Sequence, residues 1–170
     1  VFEHALYRSL AGKRVVITGG GSGIGAALVE AFVGQGAQVC FLDIATEPSE
    51  ALVASLKDAA VAPRFFPCNL MNLQALRATF TEIETVMGGV DILINNAAND
   101  DRHKSEDVTP AYWDERLAVN LRHQFFCAQA VLPGMRERKA GVILNFGSIS
   151  WHLGLPCLLY TSDAADEGLG

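Results

Sequence analysis

Hydrophobic and polar positions along the chain alternate between two kinds of segment: short apolar runs, and longer stretches in which apolar residues recur every three or four positions. The runs are "RVVIT" (14 to 18), "QVCFLD" (38 to 43), "RFFPC" (64 to 68), "VDILINN" (90 to 96) and "GVILNFGS" (141 to 148). Their length and bounds read as strands, and the fourth, apolar nearly to its end, reads as a central strand buried on both faces. Pro67 puts the third near an end or a sheet edge. Between the runs, Ile24, Leu28 and Phe32 mark one helical face, and a second helix is expected from about Pro48 to Lys57. Leu73, Leu76, Phe80, Ile83 and Met87 form a stripe that docks a third helix on the sheet. Thr109 and Pro110 read as the N-cap and first position of a long helix through Asn120 and Phe126, interrupted near Pro133 and Gly134. This alternation predicts an α/β fold, a Rossmann-like doubly wound parallel sheet in a single domain. Its strands all end in polar or glycine-rich segments on one side, where open parallel sheets place their ligand crevice.

Directly after the first strand, "TGGGSGIG" (18 to 25) places Gly19, Gly23 and Gly25 in a loop that opens a helix. Glycine there lets the backbone approach a pyrophosphate whose charge a helix N-terminus stabilises. Tight turns use the same residues, so the loop alone is a weak sign; its context of strand, loop, helix and strand, ending on Asp43, strengthens it. A carboxylate at that point accepts hydrogen bonds from adenosine ribose hydroxyls and repels a 2'-phosphate, which favours NAD over NADP; the competing reading of Asp43 is a solvated loop residue.

Composition narrows the partners. The 170 residues carry 13 basic and 19 acidic side chains, a formal charge of -6 with no run of like charges, so neither a nucleic-acid surface nor a basic membrane patch is indicated and a small-molecule partner is expected. Cys40, Cys68, Cys127 and Cys157 are too widely spaced for a zinc or redox motif and are expected as buried reduced thiols, which suits a cytoplasmic protein. No apolar segment reaches membrane-spanning length, and neither a signal peptide nor metal-ligand spacing is expected.

With Thr18, Gly19, Gly23 and Gly25, the "NNAA" of 95 to 98, Asn120 and Ser148 all in order, the sequence resembles the short-chain dehydrogenase/reductase family. The resemblance implies a cofactor site of Thr18, Gly19, Ser22, Gly23, Ile24, Gly25, Asp43, Asn69, Leu70, Asn96 and Ala97, with Asn69 where the family commonly has an aspartate near the adenine and Ala98 in place of the usual glycine. It implies that Asn120 and Ser148 are the first two members of a catalytic Asn-Ser-Tyr-Lys set, and that the protein is a tetramer. "NDDRHK" (99 to 104), "YWDERLAVNLRH" (112 to 123) and "NFGSISWHLGL" (145 to 155) look like the branch of that family that oxidises an aldopentose such as D-xylose at its anomeric carbon to a lactone. Asn99, Asp100 and His103 would then line a hydrogen-bonding rim for a polyhydroxylated ring, joined by Trp151 and His152; for each, an ordinary loop or packing role is the alternative. Another alcohol or ketone substrate, and a non-catalytic NAD-binding protein, stay open beside this reading.

In the family the tyrosine that takes the substrate proton is followed four residues later by a lysine. Tyr160 is followed at that spacing by Ala164, no lysine follows Lys139, and Thr161 stands where the family spacing from Ser148 puts the tyrosine. "CLLYTSDAADE" (157 to 167) resembles a translated transposase-type sequencing adapter, so residues 1 to 156 are expected to be native, 157 to 170 a non-native tail, and the fold incomplete at the C-terminus. The 170-residue chain is expected to be inactive and to expose a sheet edge.

Overall fold

A computed structural model of the chain describes residues 5 to 101 and 103 to 148. The five apolar runs form five strands, β1 (Arg14–Thr18), β2 (Gln38–Asp43), β3 (Arg64–Pro67), β4 (Ile92–Asn95) and β5 (Val142–Asn145), with five α-helices, α1 (Gly23–Gly34), α2 (Thr46–Ser55), α3 (Leu73–Met87), α4 (Pro110–Leu117) and α5 (His123–Arg138). All strand pairs are parallel, in the order β3-β2-β1-β4-β5. The chain therefore builds outward from β1 to β3, then crosses to the other side of β1, and the switch between β1 and β4 opens a crevice at their carboxyl ends.

Side chains alternate across the sheet, so each strand feeds two cores. Val15 and Ile17 of β1 pack with Val39, Phe41, Val29, Val33 and Leu52 under α1 and α2. Val16 packs with Cys40, Leu42 and Leu93 against Leu76, Phe80 and Ile83 of α3 and Cys127, Val131 and Met135 of α5. Each fully buried Leu, Ile or Phe contributes about 1.5–3 kcal/mol of transfer free energy, which is what holds helices of such modest individual propensity on the sheet. Cys40, Cys68 and Cys127 are buried free thiols, as expected; Cys157 lies outside the described residues.

Three expectations need correction. The buried face of α1 is Gly25, Val29 and Val33, one residue on from the expected Ile24, Leu28 and Phe32; Leu28 and Phe32 are only partly buried and Ile24 is 65% exposed. Small Gly25 allows the helix to sit close to the strand it follows, and that contact, not the longest side chains, sets the rotation. Helix α2 begins at Thr46, so Pro48 lies in its first turn, where a missing N–H costs nothing. The long helix runs unbroken past Pro133: the carbonyl its ring leaves without a partner is that of Gln129, an exposed residue that water can serve. The interruption falls instead at Ala118–Arg122, a π-helical turn between α4 and α5 with Asn120 at its centre.

One cap was legible: Thr109 accepts the Tyr112 N–H at 3.2 Å with Pro110 behind it. The structure adds a second, Asn72, which accepts the N–H groups of Gln74 and Ala75 at 3.0 and 3.1 Å. Strand β5 is an outer strand of the described sheet, and its Val142 and Leu144 are about half exposed. No described helix is long and apolar enough to cross a membrane.

Candidate functional site

A crevice of about 780 Å³ lies over the carboxyl ends of β1, β2 and β4. Its floor is the glycine loop. Gly19 adopts φ +67, and a Cβ there would stand 2.7 Å from the Ala97 Cα; a Cβ on Gly25 would stand 1.8 Å from the Gly19 carbonyl oxygen. No side chain fits at Gly25, so the loop lies flat against the first turn of α1 and leaves its space to a ligand. The loop is hooked to the sheet by the Gly19 and Gly20 N–H groups, which donate to the Leu42 carbonyl at 2.7 and 3.3 Å. Ser22 is the N-cap of α1 in extended backbone, and its hydroxyl does not take up an N–H of the first turn. The positive end of α1 therefore faces the crevice with its donors available, the arrangement that suits an anion.

Asp43 closes the far wall at the end of β2. Its Oδ2 accepts the Gly21 N–H at 2.8 Å and its Oδ1 the Ala45 N–H at 2.9 Å, so loop and acid are locked together before any ligand arrives. Each carboxylate oxygen keeps a further lone pair for a hydroxyl. Among the described lining residues there is no lysine or arginine, whereas Asp43, Asp100 and Glu115 are present.

The sequence candidates fall into three groups. Gly19, Ser22, Gly23, Ile24, Gly25, Asp43, Asn69, Leu70, Asn96 and Ala97 all line the crevice, and so do Asn99 and Asp100. The exposure of Ile24, a liability in a packed helix, belongs here: it is an apolar wall of the crevice. Thr18, Asn120 and Ser148 do not line it. Thr18 is fully buried under the loop, its hydroxyl accepting the N–H groups of Asn96 and Ala97, each at 3.1 Å. Asn120 is buried with its side chain engaged: Oδ1 accepts the Asn99 N–H at 2.7 Å and Nδ2 donates to the Asn99 carbonyl at 3.0 Å. Ser148 ends the described chain beyond β5, on the same side of the sheet. His103 turns away from the crevice to Tyr112, ring nitrogen to hydroxyl at 3.4 Å, so the structure gives it a packing contact in place of the expected rim position. Trp151, His152 and Tyr160 lie outside the described residues.

Sequence reasoning missed Glu115 and Val119, which reach the crevice from the α4 end, together with Ile44, Cys68, Met71 and Ala98. Nothing in the periodicity of α4 marks Glu115; only the tertiary arrangement shows it among the lining residues. Burial raises the Cys68 thiol above its ordinary value, with a hydrogen bond involving Thr79 opposing, so it lines the wall as a neutral group.

Around this crevice runs a chain of uncharged groups. Asn96 Nδ2 donates to the Thr18 and Gly19 carbonyls at 3.1 and 3.0 Å; Asn95 Nδ2 donates to Asn145 Oδ1 at 2.8 Å and to the Gln124 carbonyl at 3.3 Å. Carboxamides carry donor and acceptor on one group, so they tie β1, β4, β5 and α5 together without leaving a net charge beside the ligand.

Comparison with known proteins gives these features a context. The profile of the family described as short chain dehydrogenase matches residues 13–162. The chain is 61% identical over 167 residues to a D-xylose 1-dehydrogenase of Caulobacter vibrioides (strain NA1000 / CB15N), covering 97% of this chain and 66% of that protein. It is 50% identical over 151 residues to the "Probable galactose dehydrogenase GalD" of Rhizobium meliloti (strain 1021), covering 88% of this chain and 59% of that one. The crystal structure of a metagenomic short-chain oxidoreductase in complex with NADP superposes with a TM-score of 0.85 at 30% identity, over 95% of this chain and 73% of its own. The chain thus spans less than two thirds of the length of these two curated relatives.

Proposed function

This chain belongs to the short-chain dehydrogenase family, and from that premise we propose that the protein oxidises an aldopentose such as D-xylose at C1 to the lactone, with NAD as hydride acceptor. The single observation that carries the cofactor reading is the crevice itself: a glycine cradle that a Cβ would fill, the open N-terminus of α1, and Asp43 on the wall with no basic side chain among the described lining residues. Gly19, Ser22, Gly23 and Gly25 would hold the pyrophosphate, Asp43 the adenosine ribose hydroxyls, Asn69 and Leu70 the adenine, and Asn96 and Ala97 the nicotinamide side. A 2'-phosphate would meet the Asp43 carboxylate with no lysine or arginine among the described lining residues to offset it, which favours NAD over NADP. When bound, NAD supplies the acceptor for the hydride that leaves C1.

The residues of the chain handle the rest. The substrate loses a hydride from C1 and a proton from its C1 hydroxyl, which leaves a carbonyl at C1 and gives the lactone. Ser148 donates a hydrogen bond to the reacting oxygen, and Asn120 holds the loop at Asn99 so that Asn99 and Asp100 face the sugar hydroxyls. The proton goes to a tyrosine lowered in pKa by a lysine four residues on; no such pair is present in the 170 residues, so this polypeptide by itself binds NAD without turnover. A cytoplasmic setting accords with the three buried free thiols, and a homotetramer with the exposed Trp113, Leu121 and Phe125 on the α4–α5 side.

The test is NADH formation by the complete protein across a panel of aldoses and secondary alcohols, with NAD and NADP compared. D-xylose or another aldopentose is expected to give the highest kcat/KM with NAD, and Asp43→Ser to cut the NAD over NADP preference by about tenfold or more. Turnover of secondary alcohols alone would refute the substrate, and an unchanged preference in the variant would remove Asp43 from the argument.

A further inference from the structure

Gln124 lies one turn beyond Asn120 at the start of α5, half-buried and outside the crevice. Its Nε2 donates to the Asn120 carbonyl at 2.9 Å and, more loosely, to the Phe146 carbonyl at 3.4 Å, two residues before Ser148. Its own backbone carbonyl accepts from Asn95 Nδ2, which also holds Asn145. We propose that Gln124 is a positioning residue for the reaction: one side-chain amide sets the distance between the π-turn that carries Asn120 and the end of β5 that carries Ser148. The proposal rests on the dehydrogenase reading above.

The argument follows from what the π-turn does to its carbonyls. In an α-helix a carbonyl accepts the N–H four residues on, and in a π-turn the one five residues on; at this shift of pairing the Gln124 side chain adds a donor to the Asn120 carbonyl. The Asn120 side chain is already committed to Asn99, so its backbone position depends on this contact. Phe146 is likewise at a strand end, where the ladder has stopped: its N–H still pairs with Asn95, but its carbonyl faces Gln124. Two acceptors that face one another need a donor with two hydrogens on one atom. A carboxamide provides it without charge, whereas a thioether of the same length provides none. Because hydride and proton transfer need reacting atoms within a few tenths of an ångström of their best separation, a residue that never touches substrate can still govern kcat.

The experiment uses the complete protein with Gln124→Met, which keeps the shape and removes both donors, and Gln124→Lys, which restores a donor on a flexible stem. Gln124→Met is expected to lower kcat by about tenfold, as for one lost hydrogen bond, while the NAD KM stays within about twofold. Gln124→Lys is expected to recover most of that loss. Amide exchange across 118 to 126 and 143 to 148 in Gln124→Met is expected to speed up by about tenfold with 14 to 43 unchanged. Wild-type kcat and exchange in Gln124→Met, a Gln124→Lys no better than Gln124→Met, or a loss of NAD affinity in step with kcat would each overturn the proposal. Should the wild-type protein oxidise no sugar, the substrate reading fails, and the exchange measurement still decides the role of Gln124.

Discussion

At the amino ends of the strands β1 and β4 are tied by charge: Arg14 grips Asp91 through Nε at 2.9 Å and Nη2 at 2.5 Å, with Arg138 beside them donating to the Val90 carbonyl at 2.5 Å. At the carboxyl ends of the same two strands the described ties between β1 and β4 are neutral, the Thr18 hydroxyl and the Asn96 carboxamide, with the carboxamides of Asn95, Asn120 and Gln124 beside them, and charge enters through Asp43 at the end of β2. The difference follows from what each end must accommodate. An ion pair is a sound clamp where only water lies outside, since its geometry is bidentate and its partners are partly shielded. Beside the crevice the carboxamides fix the geometry between the strand ends without adding a charge to the carboxylates already on its wall.

The largest effect is expected where the neutral end meets ligand. Gly25→Ala forces a Cβ into the Gly19 carbonyl, and NAD affinity should fall by about hundredfold, near the upper end of overpacking costs, with unfolding less affected because the loop can lift; a fluorescence titration that finds unchanged affinity would show that the crevice is not the cofactor site.

Acid separates the two ends next. Burial holds the His123 imidazole, at the neutral end, down at about 4, with the Val119 backbone opposing, so the unfolded chain takes up that proton first and stability should decline by up to about 3 kcal/mol as pH falls from 6.5 to 4. Asp91, at the charged end, is held down to about 2, chiefly by the Arg14 hydrogen bond; its contribution of about 2 kcal/mol is present above pH 4 and is lost only as pH falls from 4 to 2. Urea unfolding at stepped pH reads both: His123→Leu should flatten the upper window and Asp91→Asn the lower one. A stability level down to pH 4 in the wild type would leave the charged end as the sole acid-sensitive one.

The smallest effect sharpens the comparison within the neutral end. Thr18→Val leaves the N–H groups of Asn96 and Ala97 without their acceptor and should cost about 1–2 kcal/mol in urea unfolding, while NAD affinity changes little because Thr18 lies beneath the crevice. A loss of NAD affinity without a loss of stability would return Thr18 to the cofactor contacts.

The sheet and the crevice wall were legible because their signals are local. Five apolar runs, Asp43 at the end of β2 and glycines after β1 each depend on neighbours a few residues away, and the crevice lining repeats them almost residue for residue. The catalytic neighbourhood was less legible. Asn120 and Ser148 stood out through a family pattern, but Pro133 suggested a break that occurs instead at Asn120, because a proline tolerated by solvent and a π-turn have no opposite signatures in a single sequence.

The sequence by itself determined the order of strands and helices, the glycine cradle and the acid on its wall, since hydrophobic period, glycine and a strand-terminal carboxylate act over one turn or one strand. Only the tertiary structure decided that Thr18 supports the loop from below, that His103 turns to Tyr112, that Glu115 reaches the crevice and that Gln124 joins Asn120 to β5. Those roles come from contacts between segments tens of residues apart, and no local rule states which carbonyl an amide will find until the strands and helices have packed.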